Sequence, residues 1–126
     1  MYPANLLSTG KLAYVAEDDP FLASMMEQIL QEHGVEVRVA RNGEETVDLI
    51  REELPQLLLL DLLMPKADGY HVLAFIHENH HVFPVVIVTN ASLDAEKRGE
   101  LRVADIIIKS DLDEDEIWNR IERFFE

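Results

Sequence analysis

Short apolar segments alternate with helical patterns five times along this chain, and this alternation does most to narrow its possible folds. The segments that read as strands are residues 11–16, 35–40, 57–60, 85–88 and 105–108. Between them, apolar residues recur at the three- and four-residue spacing of an amphipathic helix. Strands that alternate with helices favour a parallel sheet covered on both faces. We therefore predict an α/β fold with a doubly wound, five-stranded parallel sheet.

Local signals mark several helix ends. Asp19 followed by Pro20 suits the N-cap and the first position of a helix. The dipeptide Asn42-Gly43 predicts a turn before the second helix. The fourth helix, at about residues 93–103, is only weakly patterned.

Composition excludes several classes of function. Eleven Lys and Arg residues against 25 Asp and Glu residues give a net charge of -14, which disfavours direct binding to nucleic acid or to an anionic membrane. The absence of cysteine excludes disulfides and thiolate metal sites. No apolar run approaches the roughly 18 residues that span a membrane, and the N-terminus lacks a signal-peptide pattern. We expect a cytoplasmic protein with an N-terminal arm at residues 1–10 and one domain at residues 11–126.

Polar residues come directly after four of the strands. Glu17 and Asp18 follow the first, Asp61 the third, Thr89 the fourth and Lys109 the fifth. The carboxyl ends of parallel strands meet at one edge of the sheet, where ligands bind in such folds. Clustered carboxylates repel one another unless a cation neutralises them, and Mg²⁺ prefers oxygen ligands. A hydroxyl and an ammonium group beside them can donate to phosphoryl oxygens, so the set suits phosphoryl transfer.

These residues carry a family resemblance. The segments concerned are Glu17-Asp18-Asp19, Leu60-Asp61-Leu62-Leu63-Met64-Pro65, Asp68-Gly69, Thr89 and Lys109. Together they resemble the receiver domains of two-component response regulators, of the stand-alone kind typical of chemotaxis regulators, from about Lys11 to the C-terminus. The resemblance implies a flavodoxin-like (βα)5 fold with the strand order 2-1-3-4-5.

The resemblance also implies roles for the acidic residues. Asp61 resembles the phosphoacceptor, which takes a phosphoryl group from a sensor histidine kinase or a phosphotransfer protein. Asp18 and Asp61 resemble direct Mg²⁺ ligands, Glu17 acts through a metal-bound water, and the backbone carbonyl of Leu63 completes the protein ligands.

The remaining implied roles concern switching and partners. Thr89 resembles the hydroxyl that moves to bond the phosphoryl group, and Lys109 the cation that holds one of its oxygens. Such a module catalyses only its own phosphorylation and dephosphorylation, and it switches a surface that binds a downstream protein target. A homodimer through the face of the fourth helix, fifth strand and fifth helix is also compatible with the resemblance.

Three residues depart from the family pattern, and two other functions compete with this one. Asn90 replaces a very small residue, Ile106 an aromatic one and Ser110 a proline. These departures leave open a degenerate receiver that binds partners without phosphorylation. A phosphatase of the haloacid-dehalogenase type would need a second aspartate where Leu63 stands, so turnover of an external substrate is disfavoured. The chain either acts alone or forms part of a longer regulator.

Overall fold

The structure, a computed structural model, describes residues 10–111 and 113–126. Its strands are β1 (Leu12–Ala16), β2 (Glu36–Ala40), β3 (Leu57–Leu60), β4 (Val85–Thr89) and β5 (Asp105–Ile108). Its helices are α1 (Pro20–Glu32), α2 (Gly43–Glu52), α3 (Gly69–Glu78), α4 (Ala95–Leu101) and α5 (Glu114–Ile121). Short 3-10 helices cover Lys109–Asp111 and Glu122–Phe125. The N-terminal arm expected at residues 1–10 lies outside the described residues, except for Gly10.

The five strands form one parallel sheet in the order β2-β1-β3-β4-β5. This order and the flanking helices confirm the predicted doubly wound fold. In the register of the sheet, Ala16 pairs with Leu60, Leu60 with Ile87, and Ile87 with Ile106. The residues that follow this row therefore come together at the carboxyl edge of the sheet.

The sheet has a hydrophobic core on each face, and the central strand β3 is therefore buried along its whole length. Leu58 and Leu60 point into one core with residues of α2, α3 and α4. Leu57 and Leu59 point into the other, which α1 and α5 cover. A strand buried on both faces reads as a continuous apolar run, which explains the four leucines of β3.

The first two helices begin with side-chain caps. Asp19 caps α1 as predicted, since its Oδ1 accepts a hydrogen bond from Phe21 N at 2.9 Å. The chain bends at Asn42, just before Gly43, between β2 and α2, as predicted. Asn42 caps α2, accepting from Glu45 N at 2.9 Å, and Gly43 is the first helical residue. Asparagine suits a helix N-cap as well as a turn, and Asn42 fills both roles here.

Helix α4 is shorter than predicted and weakly anchored. Asp94 caps it by accepting from Lys97 N at 2.8 Å, so it begins at Ala95. It ends where Arg102 adopts the left-handed conformation with φ 53°. Leu101 is its one buried residue, which accounts for the weak sequence pattern. None of the helices in residues 10–111 and 113–126 has the length and apolar character that crossing a membrane requires.

Candidate functional site

The three predicted acidic residues meet at the carboxyl edge of the sheet. Glu17 follows β1 and Asp61 follows β3, and both are buried, with 1% and 2% of their surface exposed. Asp18 is exposed beside them. Each of the three offers a carboxylate oxygen, and these oxygens lie within 4.8 Å of one another. The three carboxylates are therefore close enough together to bind a single cation.

Lys109 reaches back from the end of β5 to bridge two of these carboxylates. Its Nζ donates a hydrogen bond to Asp61 Oδ2 at 2.8 Å and forms an ion pair with Glu17 Oε1 at 2.8 Å. Burial of the ammonium group favours its neutral form, but the two carboxylates outweigh this effect and raise the pKa of Lys109. Lys109 therefore stays protonated and neutralises part of the cluster.

Glu17 holds its carboxylate toward the site. Its Oε2 accepts from the Asp19 backbone N–H at 3.1 Å. Its Oε1 is buried and accepts no well-directed hydrogen bond from the described residues, although Lys109 Nζ lies close to it. Burial raises the pKa of Glu17, against the lowering effect of Lys109 and the Asp19 N–H.

Three carboxylates against the single ammonium group of Lys109 leave the cluster with excess negative charge, which a bound cation would neutralise. This donor set of carboxylate oxygens therefore fits a hard divalent cation such as Mg²⁺.

The backbone around Asp61 fixes its side chain. Asp61 N donates to Ala16 O at 3.0 Å, and its Oδ1 accepts from Leu63 N at 3.1 Å. This contact places the Leu63 backbone against the acidic cluster, while the Leu63 side chain is 57% exposed. The sequence analysis did not identify the Leu63 N–H as a hydrogen-bond donor to Asp61. Any residue except proline has a backbone N–H, so the residue type at position 63 does not indicate this contact.

Thr89 lies at the same edge, as the last residue of β4 and fully buried. Its Oγ1 accepts from Ala91 N at 3.2 Å, so the hydroxyl proton remains available to another acceptor. No hydrogen bond joins Thr89 to Asp61 or Lys109 in the part of the chain that the structure describes. Asn90 beside it is exposed.

The other two departures from the family pattern lie farther along the chain. Ile106 is half-buried and packs against the core beneath α2, α3 and α4. Its backbone carbonyl accepts from Arg120 Nη2 at 3.0 Å, and the same arginine forms two hydrogen bonds with Asp105. Ser110 is exposed within the short 3-10 helix that follows β5.

The sequence matches the family described as "Response regulator receiver domain" over residues 13–122. The parallel sheet and the carboxylates at its edge define a receiver-type signalling module. This chain belongs to the response regulator receiver domain family of two-component signalling.

Curated proteins of two organisms are similar to this chain in sequence. An uncharacterized 14.6 kDa protein of Leptolyngbya boryana is 30% identical over 90 residues, which cover 70% of this chain and 69% of that protein. The transcriptional regulatory protein CpxR of Escherichia coli K12 is 36% identical over 75 residues, covering 60% of this chain and 32% of that protein. The matched segment is therefore only part of the length of CpxR.

Solved structures with the same fold include a response regulator and a signal receiver domain. A DNA-binding response regulator of the LuxR family from Staphylococcus aureus superposes with a TM-score of 0.81 at 29% identity, covering 92% of this chain and 99% of that chain. The signal receiver domain of a histidine kinase from Syntrophus aciditrophicus gives a TM-score of 0.80 at 27% identity, covering 91% and 89%.

Proposed function

We propose that this domain, residues 11–126, accepts a phosphoryl group on Asp61 from a sensor histidine kinase or a phosphotransfer protein. The observation that carries the proposal is the setting of Asp61. Its carboxylate is buried at the carboxyl end of β3, held between the Leu63 N–H and the Lys109 ammonium. A nucleophile fixed in this way needs little reorganisation to meet a donor phosphorus.

We further propose that Mg²⁺ is the cofactor of this site. Asp18, Asp61 and the Leu63 carbonyl would hold it directly, and Glu17 would act through a water. When bound, the ion supplies positive charge for the phosphoryl oxygens. The three carboxylate oxygens of Glu17, Asp18 and Asp61, all within 4.8 Å of one another, support this assignment.

In the transfer step, a carboxylate oxygen of Asp61 forms a bond to phosphorus, and the bond from phosphorus to the donor imidazole nitrogen breaks. The electron pair of the broken bond stays on that nitrogen. Lys109 faces the reacting carboxylate and can donate to a phosphoryl oxygen, and the free proton of Thr89 can do the same. The domain transforms no external substrate in this scheme.

The proposed output is a change in the surface that binds a downstream protein target. The net charge of -14 favours a protein partner over direct contact with nucleic acid or membrane. A homodimer through α4, β5 and α5 is a further proposed output, and a cytoplasmic location follows from the proposed kinase partner.

The experiment is intact-mass measurement after incubation with acetyl phosphate and Mg²⁺. The wild type is expected to gain one phosphoryl mass, and Asp61→Asn to gain none. Asp94→Asn is the matched control, since Asp94 is exposed and asparagine also caps α4. An Asp61→Asn protein that gains the wild-type mass would refute Asp61 as the acceptor.

A further inference from the structure

The loop from β3 to α3 contains two successive non-glycine residues in the left-handed region. Lys66 has φ 47° and Ala67 has φ 65°. Residues with a Cβ rarely adopt this conformation, because the Cβ approaches the following carbonyl oxygen. Contacts from elsewhere in the fold must therefore hold this part of the loop.

Gly43, at the start of α2, supplies such a contact. Its N–H donates to Lys66 O at 3.2 Å. A Cβ built on Gly43 would lie only 2.0 Å from Ala67 O and 2.6 Å from Ala67 C. Gly43 itself is helical, a conformation that alanine adopts readily. The backbone angles of residue 43 would allow any residue. Glycine is required because the loop backbone lies too close to leave room for a Cβ.

A second glycine holds the far end of the same loop. A Cβ on Gly69 would lie 2.4 Å from Asp61 O, and Gly69 N donates to Leu62 O at 3.1 Å. The loop is thus fixed against the Asp61–Leu62 backbone at one point and against α2 at another. Leu63, whose N–H bonds the Asp61 carboxylate, lies between the two.

We propose that Gly43 is a positioning residue for the aspartate site. Because Gly43 has no side chain, the Lys66–Ala67 backbone can pack against the start of α2. This contact fixes the loop conformation that places the Leu63 backbone beside Asp61 and the divalent cation. The inference rests on the proposed function. Because Gly43 is far from Asp61 in the sequence, the sequence alone does not indicate this role.

The main test is Gly43→Ala. The added Cβ must displace the loop backbone or the start of α2, since 2.0 Å is far below a van der Waals contact. We expect the Mg²⁺ dissociation constant, measured from amide chemical shifts, to rise about 10-fold, as for the loss of other groups that orient metal ligands. The Mg²⁺ concentration that half-saturates phosphorylation by acetyl phosphate is expected to rise equally, while the rate at saturating Mg²⁺ stays near that of the wild type.

Two further variants separate positioning from a general loss of stability. Gly99→Ala adds a Cβ in α4 that meets nothing within 4 Å, so Mg²⁺ affinity is expected to stay unchanged. Ala67→Val disturbs the same contact from the loop side, because a β-branched residue disfavours φ 65°. It is expected to weaken Mg²⁺ binding even if Gly43→Ala does not fold.

Folded Gly43→Ala or Ala67→Val protein with a wild-type Mg²⁺ dissociation constant would overturn the inference, whatever the change in melting temperature. Equal weakening in Gly99→Ala would overturn it as well. Failure of the proposed function has a different signature, namely a wild-type protein that binds no Mg²⁺ or takes no phosphoryl group.

Discussion

Lys109 Nζ lies 2.8 Å from Asp61 Oδ2, in a hydrogen bond between side chains that are 48 residues apart in the chain. The same ammonium group is 2.8 Å from Glu17 Oε1. Lys109 therefore balances two buried carboxylates that would otherwise face each other. This arrangement makes lysine a structural counter-ion as well as a candidate phosphoryl ligand.

Replacement of Lys109 by methionine is expected to destabilise the fold. It leaves the buried carboxylates of Asp61 and Glu17 without their cation, so we expect a loss of about 1–3 kcal/mol in the free energy of unfolding without Mg²⁺. Added Mg²⁺ should recover part of this loss by neutralising the same charges. Urea denaturation with and without Mg²⁺ measures both effects.

Lys97→Met is the matched control, because Lys97 is exposed on α4 and its replacement is expected to change stability by less than about 0.5 kcal/mol. A Lys109→Met protein as stable as the wild type in chelator would show that the carboxylates are protonated or separated.

Loss of Asp18 is expected to weaken the metal site selectively. Asp18 is exposed, so Asp18→Ala should leave the fold intact while it raises the Mg²⁺ dissociation constant about 10-fold or more. Titration followed by amide chemical shifts measures the change. Asp19→Asn is the control, since the neighbouring residue caps α1 and asparagine retains that role. Equal affinity in wild type and Asp18→Ala would remove Asp18 from the ligand set.

The phosphorylated domain is expected to lose its phosphoryl group slowly for this family. Hydrolysis needs a water in line with the phosphorus. We expect Leu63 and Ala91 to flank the path of this water, because their backbone N–H groups bond the side chains of Asp61 and Thr89, and neither of their own side chains can hydrogen-bond a water. Leu63→Asn or Leu63→Gln should therefore shorten the lifetime several-fold, with Leu63→Met as the control of similar size. The decay of the phosphoryl mass with time is the measurement. A wild-type lifetime of seconds would show that another group, such as Asn90, positions the water.

The pair between Asp105 and Arg120 is expected to contribute stability that depends on pH. Arg120 donates to Asp105 at 2.9 and 2.6 Å. Partial burial opposes the charge of Asp105, but these bonds and the Ile106 N–H outweigh it and lower the pKa of Asp105. A carboxyl group with a lowered folded pKa stabilises the fold above its unfolded pKa of about 3.9, and the contribution is lost as the pH falls through the folded value.

Asp105→Asn is therefore expected to lower the free energy of unfolding by about 1 kcal/mol at pH 7, with a difference from wild type that shrinks below about pH 4. Thermal unfolding at several pH values measures it. Asp48→Asn is the control, because the Asp48–Arg51 pair is largely exposed and should contribute almost nothing. A difference between wild type and Asp105→Asn that grew toward low pH would contradict the assignment.

The sequence predicted those strands and helices that have a clear hydrophobic pattern in their own residues. The bounds of β3 and β5 agree with the sequence prediction. β3 is a buried strand that is apolar from end to end, and β5 is marked by three successive isoleucines after Asp105. The meeting of Glu17, Asp18 and Asp61 was also predictable, because parallel strands bring their carboxyl ends to one edge.

Other features depend on contacts between residues that are distant in the sequence, and these contacts were not predictable. The close contact of Gly43 with Ala67 joins the start of α2 to the loop between β3 and α3, which no local pattern connects. The stacking of His33 on Trp118, with ring centroids 3.7 Å apart, joins the end of α1 to α5 in the same way. The bridge from Lys109 to Glu17 follows from sheet geometry, but its strength depends on burial that only the folded chain provides.

Helix α4 gives only Leu101 to the core, and it begins shortly after Thr89. Opening this helix exposes little apolar surface, so we expect its local unfolding free energy to lie well below that of the whole domain. Its amide hydrogens should therefore exchange with solvent sooner than those of β3, which is buried throughout. The segment next to the candidate switch hydroxyl is therefore expected to open at a low cost in free energy.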